Sequence, residues 1–308
     1  MRSSSVLRRT VAGTAVSAIF VGVLVGCSAD PEQPQGSGGT VEVAHARGTA
    51  QVPEDPQRVV VLEPLELDTA VALGVTPVGA AVASNVSKMP AYLGVEGVEP
   101  VGTVPEPDLE AIAALRPDLI LGTESRHSKL FEQLNSIAPT VFMATHSDPW
   151  RQNALLIGKA LNRQEQTQQL LDGVDTRCAE LADEHAVDGR TVQMIRPRDE
   201  TTLSLYGPTS FAGSLLECVG FTIPDQQWVD GLQADLSPEN VRKASADVVF
   251  VTATDVNDKT KIPAAVTHNA DAFGSVTLVD TSYWVSGVGP KGAHKVLDDI
   301  EQFLDANR

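Results

Sequence analysis

The feature of this chain that most constrains its fold is a weak internal repeat. Residues 110–118 have helical spacing and lead into the apolar run 119–123, and residues 239–247 lead into 248–252 in the same way. In both copies an acid opens the helix, an Asp precedes the apolar run, and the run ends in Thr. A helix followed by a short apolar strand is the unit of a parallel sheet covered by helices. The two copies predict two α/β lobes of similar build, unless the likeness is a coincidence between common helix–strand sequences.

The segments around the repeat predict the rest of both lobes. Residues 41–45 and 50–52 flank an Arg-Gly-Thr turn and indicate a β-hairpin. The order strand, helix, strand over residues 58–82 again indicates a parallel sheet. Between the copies, residues 150–161 and 163–185 are polar-rich and helical in spacing, which is typical of a rigid connecting helix. Beyond them the pattern predicts strands at 191–196 and 202–206 and helices at 211–219 and 293–307.

The first 27 residues have the composition of an export signal. Three arginines lie among the first nine residues, residues 10–25 carry no charge, and the small Gly26 precedes Cys27. The uncharged run is shorter than the ~20 apolar residues that cross a bilayer, so a cleaved signal is predicted and not a membrane span. The sequence Leu-Val-Gly-Cys resembles the lipobox of bacterial lipoproteins, which implies a lipid on Cys27. An ordinary secretory signal with a chance cysteine is the alternative.

The fold class predicted is α/β, with two three-layer lobes that each have a central sheet. Five parts are predicted: a signal peptide at 1–26, a flexible tether at 27–40, an N-terminal α/β lobe at 41–161, a connecting helix at 162–188 and a C-terminal α/β lobe at 189–308. The tether is rich in Pro, Gly and Ser and has nothing to bury. The length left after cleavage exceeds that of a typical single core, which agrees with two lobes.

Charge and cysteine content limit the partners and the redox state of the mature chain. Removing residues 1–26 takes away three arginines and no acids, which changes the formal net charge from −17 to −20. Binding to nucleic acid is disfavoured at that charge, and membrane contact is expected only through the lipid anchor. Cys178 and Cys218 remain in a chain outside the cytoplasm, where a disulfide persists. A bridge between them is expected, with two buried free thiols as the alternative, because the sequence does not give the distance between their Cα atoms.

A family resemblance emerges from six stretches that together cover nearly all of the mature chain. They are residues 58–63, 72–79, 101–103, 107–122, 205–217 and 283–293. These stretches resemble the substrate-binding lipoproteins of bacterial ABC importers for ferric siderophores and ferric dicitrate, a family that also includes haem and cobalamin binders. The resemblance implies one long helix joining the lobes, a ligand cleft between them and little domain closure. It also implies a monomer that needs no cofactor and delivers its ligand to an ABC permease and its ATPase.

The resemblance assigns a role to two acids. In that family each lobe presents a glutamate that docks onto arginines of the permease, and the matching positions are Glu110 and Glu217. Exposed charge pairs of this kind give orientation and association rate more than affinity. Without the resemblance, either acid could be an ordinary solvated helix residue. Cobalamin-binding relatives have a disulfide near the position of Cys218, which favours a bridge there.

Ferric siderophores and ferric citrates are often anionic and rich in oxygen, so a pocket for them needs guanidinium donors and flat aromatic walls. Ligands of open α/β sheets gather at the carboxyl ends of strands, where several arginines and aromatic residues are expected. The candidate ligand-binding residues are Glu63, Arg126, Arg196, Arg198, Tyr206, Trp228, Tyr283 and Trp284, with Tyr92 and Trp150 as further aromatic candidates. Two alternatives stay open: the arginines of 196–198 could pair with Asp199 and Glu200, and the aromatic residues could belong to the core.

Other constellations in the sequence are set aside. No direct metal site is predicted, because the histidines never fall four residues apart or in a tight cluster. The histidines are His45, His127, His146, His185, His268 and His294, of which His127 and His146 each follow a predicted strand. Residues 287–292 spell Gly-x-Gly-x-x-Gly, but too little chain follows for a dinucleotide fold, so a tight helix entry is predicted. Asp298 and Asp299 are interpreted as solvated acids.

The sequence therefore predicts a non-catalytic binding protein on the extracytoplasmic face of the cell membrane. It would be anchored through Cys27, capture a ferric siderophore of citrate or mycobactin type, and deliver it to a permease for iron uptake. A haem or cobalamin binder of the same family is the alternative. A surface enzyme on this scaffold is a weaker one, because the common hydrolase and nucleotide motifs are absent from the sequence.

Overall fold

The computed structural model describes residues 39–84, 88–147, 149–286 and 288–308. The predicted signal peptide at 1–26, the predicted lipidation site Cys27 and all but the last two residues of the predicted tether lie outside the described residues. Gly287 of the predicted helix entry also lies outside them. No helix in the described part of the chain is long and apolar enough to cross a bilayer.

The first lobe contains a two-stranded antiparallel hairpin and a five-stranded parallel sheet. The strands are β1 (Thr40–His45) and β2 (Gly48–Pro53) in the hairpin, and β3 (Val59–Val61), β4 (Gly79–Val82), β5 (Glu99–Thr103), β6 (Leu119–Thr123) and β7 (Thr140–Met143) in the sheet. The helices are α1 (Pro64–Ala72), α2 (Leu109–Ala114), α3 (Glu124–His127), α4 (Phe131–Ile137) and α5 (Trp150–Ala160). The spatial order of the sheet is β5-β4-β3-β6-β7. Its central strands are buried along their whole length because helices cover both faces.

The second lobe has a mixed sheet of five strands in the order β10-β9-β8-β11-β12, in which β8, β11 and β12 are parallel and β9 and β10 complete it as an antiparallel edge. These strands are β8 (Val192–Pro197), β9 (Leu203–Tyr206), β10 (Gln233–Leu236), β11 (Val248–Ala253) and β12 (Ser275–Asp280). The remaining helices are α6 (Gln164–His185), α7 (Phe211–Cys218), α8 (Ala264–His268), α9 (Thr281–Trp284) and α10 (Pro290–Ala306). The prediction of two α/β lobes with central sheets is confirmed, whereas the residue bounds given above for the five parts stay predictions.

The internal repeat has a structural counterpart. Strands β6 and β11 take the same position, fourth of five, in their two sheets. The Asp before each strand binds the start of the neighbouring strand: Asp118 accepts the backbone N–H groups of Gln57 and Arg58 at 2.8 and 2.9 Å, and Asp247 accepts that of Thr191 at 2.8 Å. The repeated Asp therefore aligns two adjacent parallel strands in each lobe.

The second copy of the repeat differs from the prediction in one respect. The segment expected to be an α-helix from Glu239 is a 3₁₀ helix, Pro238–Ala244. Pro238 occupies the first turn of this helix, and the Ser237 side chain before it makes no capping hydrogen bond. 3₁₀ helices are frequent as connectors, although a run of seven residues such as this one is long for the type.

Helix α6 and helix α10 join the two lobes through one hydrophobic core. Helix α6 packs against α5 of the first lobe and against α7 and α10 of the second. A single cluster of buried side chains contains residues from both sheets and both helices, among them Val59, Leu121, Leu171, Leu181, Phe250 and Leu297. The two five-stranded sheets therefore share one continuous hydrophobic core in this part of the molecule.

A buried carboxylate ties the lobes together at the start of α10. Asp68 on α1 is fully buried and accepts the backbone N–H groups of Lys291 and Gly292, each at 2.8 Å. It also accepts the Tyr92 hydroxyl at 2.7 Å. The N-terminus of a helix carries unpaired N–H groups and a partial positive charge, so a carboxylate is a favourable partner there. A Cβ atom at Gly289 would clash with the Asp68 carboxylate, and this close approach requires glycine.

Cys178 and Cys218 form a disulfide that connects α6 to the end of α7. Their Cα atoms are 5.6 Å apart, which is an ordinary separation for bridged cysteines. The bond fixes the connecting helix to the second lobe at the position where the sequence analysis expected a bridge.

Candidate functional site

A cavity of about 610 Å³ opens between the two lobes. The first lobe contributes the segments that follow β3, β4, β5, β6 and β7, and the second lobe those that follow β8, β9 and β12. Except for the antiparallel β9, these are carboxyl ends of parallel strands, where ligands of α/β sheets bind. The volume lies within the ~300–1,000 Å³ range of small-molecule sites.

An ion pair on the first-lobe wall joins two of the predicted residues. Glu63, directly before α1, accepts a hydrogen bond from Arg126 of α3, with Nη1 and Oε2 2.8 Å apart. The Glu63 side chain is 3% exposed and that of Arg126 is 35% exposed, so the guanidinium group lies between the carboxylate and the solvent of the cleft. Burial raises the pKa of Glu63 to about 7, against the opposing attraction of Arg126.

A second buried acid lies behind this pair. Glu66 accepts the backbone N–H groups of Leu62 and Glu63 through Oε2, at 2.8 and 3.0 Å, and thereby closes the N-terminus of α1. Its other oxygen has no partner within the described residues. Complete burial, together with the neighbouring Glu63, raises the pKa of Glu66 well above its usual range. The sequence analysis did not single out Glu66, although a Glu three residues after a helix-opening residue is a known capping signal.

The second lobe faces the cavity with two arginines. Arg196 lies near the end of β8 and donates from Nη1 to the Tyr206 hydroxyl at 3.1 Å. Arg198 is exposed on the cavity wall, and its guanidinium group has no partner in the described part of the chain. Asp199, the alternative partner considered from sequence, instead accepts both the N–H and the hydroxyl of Thr201. The positive charge of both arginines is therefore available to a ligand.

Two tryptophans lie on the cavity wall, together with Tyr206 and Phe211. Trp150, at the start of α5, donates from Nε1 to the Ser214 hydroxyl of α7 at 3.2 Å and packs edge-on against Phe211. Trp284 of α9 lines the cavity floor although it is only 1% exposed, and its Nε1 donates to Asp299 at 2.8 Å. Both rings are held by hydrogen bonds and therefore present fixed surfaces.

Two other predicted aromatic residues are not on the cavity wall. Tyr283 points its hydroxyl to Asp299 at 3.3 Å and packs edge-on against Tyr92. Trp228 is partly buried against the hydrophobic core and lies close to Gly207. The interpretation of Asp299 as solvated is wrong, because this acid is half-buried and accepts hydrogen bonds from both Tyr283 and Trp284.

Of the histidines that follow first-lobe strands, one is structural and one lines the cavity. His127 is buried: Nδ1 accepts the Thr123 N–H at 3.1 Å and Nε2 donates to the Val104 carbonyl at 2.7 Å, and burial lowers its pKa. His146 is exposed on the cavity wall, 3.4 Å from the Ser125 hydroxyl. Among the described residues, no three His, Cys, Asp or Glu side chains are grouped so that they could bind a metal ion directly.

Small polar residues on the cavity wall escaped the sequence analysis. They are Ser84, Ser147, Thr209, Ser210, Gln233 and Ser286. Ser84 and Ser147 follow β4 and β7, so their position after a strand was a usable signal. Ser210 is already engaged, since its hydroxyl caps α7 by accepting the Gly213 N–H. The two acids assigned to permease docking, Glu110 on α2 and Glu217 on α7, are both exposed and lie on different lobes.

Comparisons with known proteins give this geometry a context. Residues 59–273 match the family described as periplasmic binding protein. The probable siderophore-binding lipoprotein YfiY of Bacillus subtilis is 32% identical, over 86% of this chain and 88% of the relative. The Fe(3+)-citrate-binding protein YfmC of the same organism is 28% identical, over 90% of this chain and 91% of the relative. The crystal structure of Staphylococcus aureus SirA complexed with staphyloferrin B is similar with a TM-score of 0.71 and 28% identity, over 86% of this chain and 99% of that chain.

Proposed function

We propose a function from one premise: this chain belongs to the periplasmic binding protein family. Members of this family bind substrates for transport and are not enzymes. We infer that the chain is a substrate-binding protein that captures a ferric siderophore complex and delivers it to an ABC permease. The observation that supports this function is the charge of the cleft between the lobes. Its described lining residues include three arginines and a single carboxylate, which is paired with one of them. This excess of positive charge occurs in a chain whose net charge is −17.

The charges of the cleft favour a ferric complex that carries carboxylates. Arg126, Arg196 and Arg198 come from both lobes, and a guanidinium group can hold a carboxylate through two hydrogen bonds. Long-range repulsion by the acidic surface is screened beyond about 10 Å, so these arginines set the local potential. The names of relatives that bind Fe(3+)-citrate and staphyloferrin B support a citrate-type ligand over a mycobactin-type one.

The proposal also includes the cellular location of the protein and its partners. The chain would be held on the extracytoplasmic face of the membrane by a lipid on Cys27, and the lipoprotein names of two relatives support this. Glu110 and Glu217 would meet the permease, which works with an ATPase, because each acid is exposed on a separate lobe. The protein would act as a monomer, with the ferric complex as cargo and no resident cofactor.

The test is a titration of the purified protein followed by tryptophan fluorescence. Trp150 and Trp284 lie on the cavity wall, so an absorbing ferric complex bound there should quench their emission. We expect saturation at micromolar concentrations or below by ferric citrate or ferric staphyloferrin B, without product formation. The Arg126→Ala and Arg196→Ala variants should bind at least tenfold more weakly, whereas Arg163→Ala, which removes an arginine paired with Asp55 away from the cavity, should bind normally.

Other outcomes of this titration would contradict the proposal. Saturation by haem or cobalamin alone would assign a different ligand class to the same fold. A response to Zn²⁺ alone would move the site to the histidines, and turnover of any ligand would indicate an enzyme. Saturation by ferric mycobactin-type complexes but not by citrate-type ones would keep the transport role and replace the ligand class.

A further inference from the structure

The Glu63–Arg126 pair is built asymmetrically with respect to the cavity. The carboxylate lies behind, almost fully buried, and the guanidinium group lies in front of it with about a third of its surface open. A ligand that enters the cavity therefore meets Arg126 before it can meet Glu63. Glu63 engages only Nη1 of that guanidinium group, so an anionic group of the ligand can bind its remaining N–H donors and compete with Glu63 for its positive charge.

Glu63 depends on Arg126 for its negative charge. One carboxylate oxygen of Glu63 accepts from Arg126, and the only other side chain that favours its ionised form is the neutral Thr123 hydroxyl. Its pKa is already raised to about 7 with the arginine in place, because burial outweighs the attraction of Arg126. A buried carboxylate that loses its only cation becomes neutral by taking up a proton instead of staying charged.

The other groups around Glu63 do not replace that cation. On α1, Glu66 is a second buried acid whose own pKa is raised well above its usual range, so it supplies no positive charge to Glu63. On α3, the Nδ1 atom of His127 accepts a backbone N–H, which requires a neutral ring, and burial lowers the pKa of this histidine. The Thr123 hydroxyl at the end of β6 lowers the pKa of Glu63 by hydrogen bonding, less than the attraction of Arg126 does, and it carries no charge. Farther along the cavity wall are His146, after β7, and the second-lobe residues Arg196, Arg198 and Tyr206.

We propose that an anionic group of the cargo takes Arg126 from Glu63, and that Glu63 takes up a proton as the cargo binds. This inference rests on the proposed function and adds a regulation to the same site. The proton comes from solvent and stays on the Glu63 carboxyl group while the cargo is bound. Glu63 is a positioning residue here, since it acts on the cargo through Arg126.

The sign of the resulting pH dependence follows from linkage. Above about pH 7 the free protein has Glu63 ionised, so each binding event must add a proton and affinity falls by up to about tenfold per pH unit. Below about pH 6 Glu63 is already protonated in the free protein, so no uptake occurs and affinity is independent of this group. A cargo without an anionic group leaves the ion pair intact and binds without this proton uptake.

The experiment is titration calorimetry of the purified protein with ferric staphyloferrin B at about pH 8, in buffers of different ionisation enthalpy. The observed binding enthalpy is plotted against the ionisation enthalpy of the buffer, and the slope of that plot gives the number of protons taken up per complex formed. We expect the slope to approach one proton taken up per complex at about pH 8, and to fall near zero at about pH 6. Ferric desferrioxamine, a hydroxamate complex without carboxylates, should show no uptake if it binds.

Two variants separate a proton-linked role from a merely structural one. Glu63→Gln cannot titrate, so it should lose the uptake, bind about tenfold more tightly than the wild type at pH 8 and equal it at pH 6. Glu124→Gln is the matched control, because it removes an acid of α3 that pairs with Arg47 and should keep the wild-type proton count. Weaker binding by Glu63→Gln at both pH values would mean that the carboxylate only supports the wall, and would overturn the inference.

The wild-type measurement alone also decides the question and does not depend on a variant folding. Tight binding with no proton uptake at about pH 8 would overturn the inference and leave the proposed function standing. Failure of every ferric complex to bind at either pH would overturn the proposed function, and the inference would fall with it.

Discussion

Glu66 is a carboxylic acid that the fold keeps entirely from solvent. Its pKa is raised well above the usual range, so the folded protein holds a proton on Glu66 that the unfolded chain releases above about pH 4.5. Over this pH range the folded state binds more protons than the unfolded state. The free energy of unfolding therefore falls as the pH rises from about 5 towards 8. Glu63 and Asp68, with pKa values raised to about 7 and about 6, contribute to the same fall.

Replacing Glu66 with glutamine should flatten that dependence. The glutamine carbonyl can still accept the N–H groups of Leu62 and Glu63, and no ionisation opposes folding at high pH. We expect Glu66→Gln to match the wild type within about 1 kcal/mol at pH 5 and to exceed its free energy of unfolding at pH 8. Urea denaturation at both pH values measures the free energy of unfolding. Glu165→Gln, which replaces an exposed acid, is the control and should keep the pH dependence of the wild type. An equal loss of stability at both values would show that Glu66 is needed as a carboxylate.

At the scale of elements, the disulfide joins the connecting helix α6 to α7 across a sequence separation of 40 residues. Closing a loop of that length removes conformational freedom from the unfolded chain worth about 3–4 kcal/mol. The Cys178→Ser, Cys218→Ser double variant should therefore unfold at a lower urea concentration, by about that free energy. Reductant should lower the midpoint of the wild type to that of the variant and leave the variant unchanged. A wild-type midpoint that does not respond to reductant would contradict a stabilising bridge.

At the scale of the whole molecule, Asp68 holds the two lobes at the start of α10. Asp68→Ala would leave the N–H groups of Lys291 and Gly292 and the Tyr92 hydroxyl without their partner, at an expected cost of about 3 kcal/mol or more. Hydrogen exchange of the first turn of α10 should speed up with it. Asp68→Asn keeps one acceptor oxygen, so its free energy of unfolding should fall by less than that of Asp68→Ala. Asp298→Asn, which changes an exposed acid of the same helix, is the control. If this control lost as much stability as Asp68→Ala, a specific role for Asp68 would be contradicted.

The sequence predicted the repeated helix–strand units because their hydrophobic spacing and their flanking Asp are local signals. It also predicted that Glu63, Arg126 and Arg196 lie together because residues after parallel strands share one edge of a sheet, and all three line the cavity. It could not predict that Asp68 caps α10, since the capping rules read neighbours along the chain and these residues are more than 220 positions apart. It also could not predict that the Trp284 indole donates to Asp299, because the two residues lie on different helices and the sequence does not give the relative placement of those helices.

The core that runs through both lobes limits how such a chain can change over generations. Recombination could replace one lobe with the lobe of a relative. The shared hydrophobic core would then be formed by two sets of side chains that had not evolved to pack against each other. Even a few misfits of one or two methyl groups would cost several kcal/mol, against a total stability of about 5–15 kcal/mol. The arginines and hydroxyl groups on the cavity wall can be replaced one at a time without that cost. New cargo preferences in this molecule should therefore arise from substitutions on the wall, and the two lobes should be inherited together.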